Sequence, residues 1–147
     1  MSDLKLDKLQ WRTFLQILGK DKNTVRLRSF YPKGHPLKNT DRGKKSNADI
    51  NWITQCQSEG RGIYVVVNDG GDTDSEITGC RAFFCEWDDR PKSEQVDLWR
   101  SLGLKEPTLQ IDTGGKSIHN YWVLKKNHRP KDLETYSRKI TRLCRCR

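Results

Sequence analysis

The sequence predicts an α+β fold in which an N-terminal αβ module precedes a second module built on one sheet. Segments with strand-like alternation or β-branched runs take turns with segments of helical periodicity along the 147 residues. From residue 79 onward the predicted order is strand, helix, strand, strand, helix. This is the split β-α-β-β-α-β arrangement with its last strand missing, because the sequence ends at Arg147, where that strand would begin. We therefore expect two parts, residues 1–78 and residues 79–147.

The first part is expected to hold two helices and two strands. Apolar residues at helical spacing predict a helix over 4–18. Alternation in TVRLRSF predicts a strand over 24–30, and the β-branched run GIYVVVN predicts another over 62–68. Between these strands we expect a basic loop rich in Pro and Gly at 31–46 and a short helix at 47–58.

The second part begins with an apolar strand, predicted over 79–88, that ends on the acidic sequence EWDD. A helix is expected over 93–102, with Ser93 as its N-cap and with Val96, Trp99 and Leu102 on one apolar face. Two strands, 108–112 and 117–124, are joined by TGGK, a short Gly-containing connection that is typical of a hairpin. A last amphipathic helix is expected over 130–144.

The charged residues give the chain an acidic central segment between two basic flanks. The net charge is +9, made up of +1 over 1–19, +7 over 20–46, −6 over 47–124 and +7 over 125–147. Basic flanks favour a polyanionic partner such as nucleic acid, although two solvated surface faces would give the same pattern. The residues expected to contact nucleic acid are Arg26, Arg28, Lys38, Arg42, Lys44 and Lys45.

Composition disfavours several classes of protein. No apolar run approaches the roughly 18 residues that a membrane span needs, so no membrane partner is expected. The N-terminal sequence MSDLKLDKLQ has no apolar region of the kind that a secretory signal contains. Five cysteines without a Cys-x-x-Cys pair argue against a disulfide framework and a structural zinc site. We expect a reduced, cytoplasmic protein.

Two carboxylates at the end of an apolar strand pose the first functional question. Strand alternation places Ala82, Phe84, Glu86 and Asp88 on one face. Neighbouring carboxylates repel each other unless a cation lies between them, and Mg²⁺ and Mn²⁺ prefer carboxylate oxygens. The sequence thus predicts a divalent-metal site at Glu86 and Asp88. In the alternative interpretation the acids only mark the end of the strand, and Arg90 neutralises one of them.

The predicted hairpin carries a second group of polar residues. Ser117 and His119 share a strand face directly after the TGGK turn, which ends in Lys116. Glycines let the backbone approach a phosphate closely, and a lysine adds a positive charge. A single His on an apolar strand is more often structural, but its position after this turn and after the acid pair predicts phosphate binding.

These two motifs resemble those of the catalytic domain of archaeo-eukaryotic-type primases, in the form carried by primase-polymerases of bacterial plasmids, phages and mobile elements. The family's acid-x-acid pair on a hydrophobic strand is matched by Glu86 and Asp88 in FFCEWDD. Its motif of a small residue, any residue and His is matched by Ser117 and His119 in DTGGKSIHNYWVL. The resemblance covers residues 14–124.

The resemblance implies a fold, a reaction and partners. The fold would be an RNA-recognition-motif-like sheet joined to the N-terminal αβ module. Glu86 and Asp88 would hold Mg²⁺ or Mn²⁺ and, with His119, would be catalytic, while Lys116, Ser117 and His119 would bind the phosphates of a nucleoside triphosphate. The reaction would be template-directed nucleotidyl transfer by a two-metal scheme. Single-stranded or primed DNA would be the polymeric partner, and a helicase would be a further one.

The sequence departs from the family pattern in two ways. The first acid of the pair is Glu86, where Asp is commoner, although Glu also binds Mg²⁺. The family's third acid, on a later strand, has no counterpart, because Asp132 and Glu134 fall in the predicted helix. We therefore expect little or no polymerase activity from these 147 residues alone. We also expect self-association, because an incomplete sheet would expose an edge and an apolar stripe.

Three other functions stay open at this point. A non-catalytic nucleic-acid-binding remnant of a replication protein would keep the basic flanks but would not need a metal. A metal-dependent nuclease of the replication-initiator kind uses His-x-His and a catalytic Tyr. Here Ser117 stands where the first His would be, with Tyr121 nearby. A purely structural domain is the third alternative.

Overall fold

The computed structural model describes residues 7–21, 23–47 and 49–128, which form antiparallel sheets with helices packed against them. The elements are α1 (Lys8–Ile17), β1 (Leu27–Phe30), β2 (Lys44–Ser46), α2 (Ile50–Ser58), β3 (Gly62–Val65), β4 (Asp69–Gly70), β5 (Ile77–Cys85), α3 (Lys92–Gln95), α4 (Leu98–Ser101), β6 (Leu109–Asp112) and β7 (Ile118–His128). Single turns of 3-10 helix lie at Lys38–Thr40 and Asp74–Glu76.

The strands form a three-stranded sheet of order β2-β1-β3 and a four-stranded sheet of order β4-β5-β7-β6. All strand pairs are antiparallel. The predicted α+β class is confirmed. The predicted division between residues 78 and 79 stays a prediction, although β5 begins at Ile77 and β4 already belongs to the second sheet.

The first sheet is covered on one face by α1 and α2. Asp7 caps α1 by accepting hydrogen bonds from the backbone N–H groups of Leu9 and Gln10, at 2.9 and 3.0 Å. Asp49 caps α2 in the same way. The helices bury their apolar side chains against β1 and β3, and this removal of apolar surface from water is what holds them there. The buried cluster consists of Leu15, Val25, Leu27 and Ile53.

The second sheet has a different covering on each face. Cys85, which ends β5, packs with Trp87 and with Trp99 of α4 on one face. On the other face Ala82 and Tyr121 pack with Leu18, at the end of α1. The helical segment after β5 therefore covers one face, while the N-terminal helix covers only part of the other. The uncovered part of this second face lies at the end of β5 where the two acids follow.

An ion-pair network joins α1 to the second sheet. Arg81 of β5 contacts Asp69 of β4 at 2.7 Å and donates a hydrogen bond to the carbonyl of Gly19 at 2.7 Å. Asp69 also contacts Lys20 at 3.2 Å, and the Lys20 side chain is only 1% exposed. Burial lowers the pKa of Lys20, against the stabilising effect of Asp69. The end of α1 is thus linked to the second sheet by charges that need each other as partners.

Three sequence predictions about elements are corrected. The predicted strand 79–88 ends at Cys85, so Glu86 and Asp88 follow the strand instead of belonging to it. The predicted basic loop 31–46 ends in a short strand, β2. A second short strand, β4, forms between β3 and β5, where no strand was predicted. β2 and β4 contain three and two residues, too few for an alternating pattern to show in the sequence. Their conformation therefore depends on pairing with a neighbouring strand.

The helix predicted over 93–102, with Ser93 as its N-cap, is instead two short helices, α3 and α4. Pro91 takes the N-cap position, and Val96, expected on the buried face, is 41% exposed. The break coincides with a hydrogen bond from the Trp99 indole to the carbonyl of Val96, at 2.9 Å. Because the Val96 carbonyl accepts this side-chain hydrogen bond, it does not need a helical N–H as its partner, and the helix can break at this position.

Several predictions lie outside the described residues. They are the helix over 130–144, most of the basic segment 125–147, and the acids Asp132 and Glu134. The RNA-recognition-motif-like arrangement needs a second helix and a last strand, so it also stays a prediction. Within residues 7–21, 23–47 and 49–128, no helix combines the length and the apolar character that crossing a bilayer requires.

Candidate active site

The pairing of β5 with β7 brings the acid pair opposite the hairpin motif. Phe84 pairs with Tyr121 and Cys85 with Asn120. Extending this antiparallel register past the strand end places Glu86 opposite His119 and Asp88 opposite Ser117. The structure shows both contacts.

Glu86 contacts His119 directly. The Glu86 Oε2 atom lies 2.8 Å from His119 Nε2, and both side chains are partly exposed. On its other side, His119 Nδ1 lies 3.2 Å from the hydroxyl of Tyr121. Burial, with a smaller contribution from the charge of Glu86, raises the pKa of Tyr121 to about 12. The phenol therefore keeps its proton and can donate to Nδ1, which leaves the Nε2 N–H to donate to Glu86.

Asp88 has two partners from the hairpin. The hydroxyl of Ser117 donates to Asp88 Oδ1, and Lys116 Nζ lies 3.1 Å from Asp88 Oδ2. These hydrogen bonds, from Ser117 first and Lys116 second, hold the pKa of Asp88 below its usual value. The Asp88 side chain is still 50% exposed. Asp88 is therefore ionised at neutral pH and accessible from solvent.

These partners answer the question that the acidic strand end raised. Each carboxylate faces its own donor across the hairpin, so the two acids need no cation between them to be tolerated. Among the described residues, no three His, Cys, Asp or Glu side chains form a group that could hold a metal. Two accessible carboxylates nevertheless fit Mg²⁺ or Mn²⁺, which are often held by one or two carboxylates with water and substrate phosphates.

An aromatic surface adjoins the acid pair. The ring of Phe84 is 50% exposed and stacks on Tyr121 at 5.8 Å between ring centroids. The ring of His119 lies 5.7 Å from that of Phe84. Strand alternation predicted that Phe84 lies on the same face as the acids, but no role was predicted for it. Its exposure is the signal, because a large apolar side chain on a strand is otherwise expected to be buried.

Gln95 holds the hairpin turn in place, a role that the sequence does not predict. Its amide donates to the carbonyls of Arg90 and Lys116, at 2.7 and 2.9 Å, and its oxygen accepts from the N–H of Ile118 at 2.7 Å. The residue is fully buried. A glutamine in a short polar helix carries no sequence signal for such a role, since only the fold shows which carbonyls it meets.

Asp112, at the start of the turn, does not join the acid pair. Its carboxylate contacts Lys92 at 2.6 Å and accepts from the N–H of Gly114 at 2.8 Å. The ion pair with Lys92, first, and the hydrogen bond from Gly114 hold the pKa of Asp112 below its usual value. Asp112 therefore shapes the turn from outside the site.

The six predicted nucleic-acid-binding residues lie on and around the first sheet, apart from the acid pair. Arg26 and Lys45 both contact Asp72, at 3.0 and 2.5 Å. Lys44 contacts Glu59 at 2.6 Å. Arg28 and Lys38 lie over the ring of Phe30, and Arg42 is exposed.

A solved structure shares this arrangement of sheets and helices. The AEP domain of the cyanophage S-2L primase-polymerase matches the chain with a TM-score of 0.85 and 33% sequence identity. The match covers 94% of this chain and 73% of that one. This chain belongs to the archaeo-eukaryotic primase family. No protein-family model matches the sequence, and no curated protein matches it.

Membership of the archaeo-eukaryotic primase family confirms the resemblance drawn from two short motifs. In this primase domain the acid pair and the small-x-His motif come from neighbouring strands and contact each other. Their roles in metal and nucleotide binding stay predictions.

Proposed function

We propose that this chain is the catalytic domain of a replication primase-polymerase, and that it joins nucleotides in a metal-dependent, template-directed reaction. The observation that carries the proposal is the direct pairing of the acid pair with the small-x-His motif in a domain of this family. The relative's name describes a primase and a polymerase, and DNA and nucleoside triphosphates are the partners that this activity needs.

In this proposal Glu86 and Asp88 hold Mg²⁺ or Mn²⁺. The bound ion would lower the pKa of the attacking hydroxyl and neutralise charge on the phosphates. Asp88 suits this role because its ionised carboxylate is half exposed. Lys116 and His119 would then exchange their carboxylate partners for phosphate oxygens. A positive charge and N–H donors that already lie beside the acids need little rearrangement to do so.

The hairpin and its neighbours orient the nucleotide. Ser117 can donate its hydroxyl to a phosphate, and the backbone of Gly114 and Gly115 leaves room for close approach. The exposed ring of Phe84 gives the sugar or base an apolar surface next to the acids. We also propose that the second sheet is RNA-recognition-motif-like, since β5, a helical segment, β6 and β7 follow in that order with β5 beside β7.

Primer extension tests the proposal. The wild-type chain should extend a labelled primer on a longer template only weakly in the presence of Mn²⁺, since the sequence shows no counterpart of the family's third acid, and Glu86→Gln/Asp88→Asn should abolish this weak extension. Glu94→Gln/Asp97→Asn is the matched control, because it removes the same charge from two exposed acids whose ion-pair partners are Arg90 and Arg100. Equal extension by the acid-pair variant and the control would contradict the assignment.

A second function keeps one specific observation in its favour. Both acids are satisfied by protein partners, as they would be in a nucleic-acid-binding domain that has no metal. Such a domain would bind DNA but would show no extension in any variant and no Mn²⁺ binding. A helicase partner and self-association stay predictions under either function.

A further inference from the structure

We propose that the outer face of the β2-β1-β3 sheet is a stacking platform for single-stranded nucleic acid, with the ring of Tyr64 receiving a base. The inference rests on the proposed function in one respect only, which is that the bound strand is the template of the reaction. Binding itself is measured separately from extension.

The register of the sheet places the platform residues side by side. Arg28 pairs with Lys45 on one side and with Tyr64 on the other, so the three side chains share a face. Phe30 lies two residues along β1 on the same face. The opposite face, which carries Leu27, packs on the helices. The platform is therefore the face of this sheet that α1 and α2 leave uncovered.

Two glycines allow the aromatic rings to lie against the sheet. A Cβ on Gly62 would come within 3.2 Å of the Tyr64 ring, and one on Gly43 would come within 2.4 Å of the Phe30 ring. The Phe30 ring meets the Tyr64 ring nearly edge-on, at 5.9 Å and 62°. Tyr64 is nonetheless 53% exposed. One side of its ring is therefore held by protein, while much of the remainder is available to solvent.

The charges around the rings fit a strand that has both phosphates and accessible bases. The guanidinium of Arg28 and the amine of Lys38 lie 4.8 and 5.4 Å from the Phe30 centroid. Arg26 and Lys45 share the single carboxylate of Asp72, which leaves an excess of positive charge. Cations that flank exposed aromatic rings are typical of surfaces for single strands, because every base has a stacking face whereas a duplex hides its bases.

Anisotropy with a fluorescein-labelled oligo-dT and with a labelled hairpin duplex tests the platform. Tyr64→Leu keeps apolar volume but removes the aromatic ring, and we expect it to weaken oligo-dT binding about tenfold, since the stacking of one base on the ring is lost. Tyr64→Phe should bind like wild type. Leu9→Ala, at an exposed apolar residue on α1, is the control and should also be unchanged.

Two further measurements separate stacking from charge and from folding. The salt dependence of oligo-dT binding should keep its slope in Tyr64→Leu, because no phosphate contact is lost. Tyr64→Ala gives a second test if the leucine variant has a lower melting temperature. Binding by both variants within twofold of wild type, or an equal loss for the duplex, would overturn the platform.

The outcome is distinguishable from failure of the proposed function. Glu86→Gln/Asp88→Asn tests extension and Tyr64→Leu tests oligo-dT binding, while Leu9→Ala should keep both. If Tyr64→Leu binds normally but extension still depends on the acids, the platform is wrong and the catalytic assignment stands.

Discussion

At the scale of single residues, the pairing of acids with donors across the hairpin determines what each substitution removes. His119 has one nitrogen on Glu86 and the other on the Tyr121 hydroxyl, and its side chain is 28% exposed. His119 is therefore a partly exposed polar residue at the edge of the site, and it does not belong to the buried apolar clusters of the described residues.

We predict that His119→Ala weakens nucleoside triphosphate binding about tenfold and changes the free energy of unfolding by only about 1 kcal/mol. The effect on binding should exceed the effect on stability, because a hydrogen bond to a charged phosphate contributes more free energy than the hydrogen bonds of a partly exposed side chain, which water can replace. Titration of the nucleotide with Mn²⁺ and thermal unfolding measure the two quantities. Lys105→Ala, an exposed cation of the same module, is the control. A collapse of the melting temperature in His119→Ala would show that the histidine is structural.

The residues of this site could be predicted from sequence because they follow from alternation. His119 lies on a strand face fixed by a period of two, Glu86 continues the alternation of β5 just past the end of that strand, and the resemblance joined the two motifs. The partners of each carboxylate could not be predicted, since they depend on the register of β5 with β7. Phe84 and Gln95 were missed because exposure and burial are properties of the fold.

At the scale of elements, the hairpin turn is fixed to the helical segment by one side chain. Gln95 satisfies two carbonyls and one N–H that would otherwise be buried without partners. Because Lys116 and Ile118 flank Ser117, this contact also positions the residue that donates to Asp88.

We predict that Gln95→Leu costs about 3 kcal/mol of unfolding free energy, because buried polar groups lose their hydrogen bonds. Nucleotide affinity should fall as well, since the turn that carries Lys116 is no longer held. Urea unfolding and nucleotide titration measure the two effects. Gln55→Ala is the control, because that side chain is exposed on α2 and should change stability by less than about 0.5 kcal/mol. Unchanged stability of Gln95→Leu would contradict the structural role.

Long elements were predicted better than short ones. The helices at α1 and α2 and the strands at β1, β3, β6 and β7 were expected near their observed positions, because amphipathic periodicity persists over enough residues. The strands β2 and β4 and the break between α3 and α4 depend on contacts with other parts of the chain. No local sequence pattern predicts these features.

At the scale of the whole molecule, the network of Lys20, Asp69 and Arg81 joins the end of α1, which covers the first sheet, to the second sheet. Burial acts to raise the pKa of Asp69, but hydrogen bonds from Arg81 and Lys20 outweigh it and hold that pKa below its usual value. A carboxyl whose pKa is lower in the folded state stabilises the fold fully above about pH 4. This stabilisation is lost as the pH falls through the folded-state pKa.

We predict that Asp69→Asn lowers the unfolding free energy by about 2 kcal/mol at pH 7, because Lys20 keeps a buried charge with a weaker partner. The difference between wild type and variant should be smaller at pH 3, which lies below the ordinary pKa of an aspartate, because the unfolded chain then binds a proton that the folded protein resists. Urea unfolding at both pH values measures it. Asp97→Asn, whose partner Arg100 is exposed, should stay within about 0.5 kcal/mol of wild type. A constant difference between the two pH values would refute the electrostatic origin.

The most direct measurement of the central claim is calorimetric titration of Mn²⁺ in the presence of a nucleoside triphosphate that cannot be hydrolysed. Wild type should bind the metal–nucleotide pair, and Glu86→Gln/Asp88→Asn should lose the metal contribution while keeping a native melting curve. The control Glu94→Gln/Asp97→Asn should bind like wild type. Equal Mn²⁺ binding by the acid-pair variant and wild type would contradict a metal site at Glu86 and Asp88.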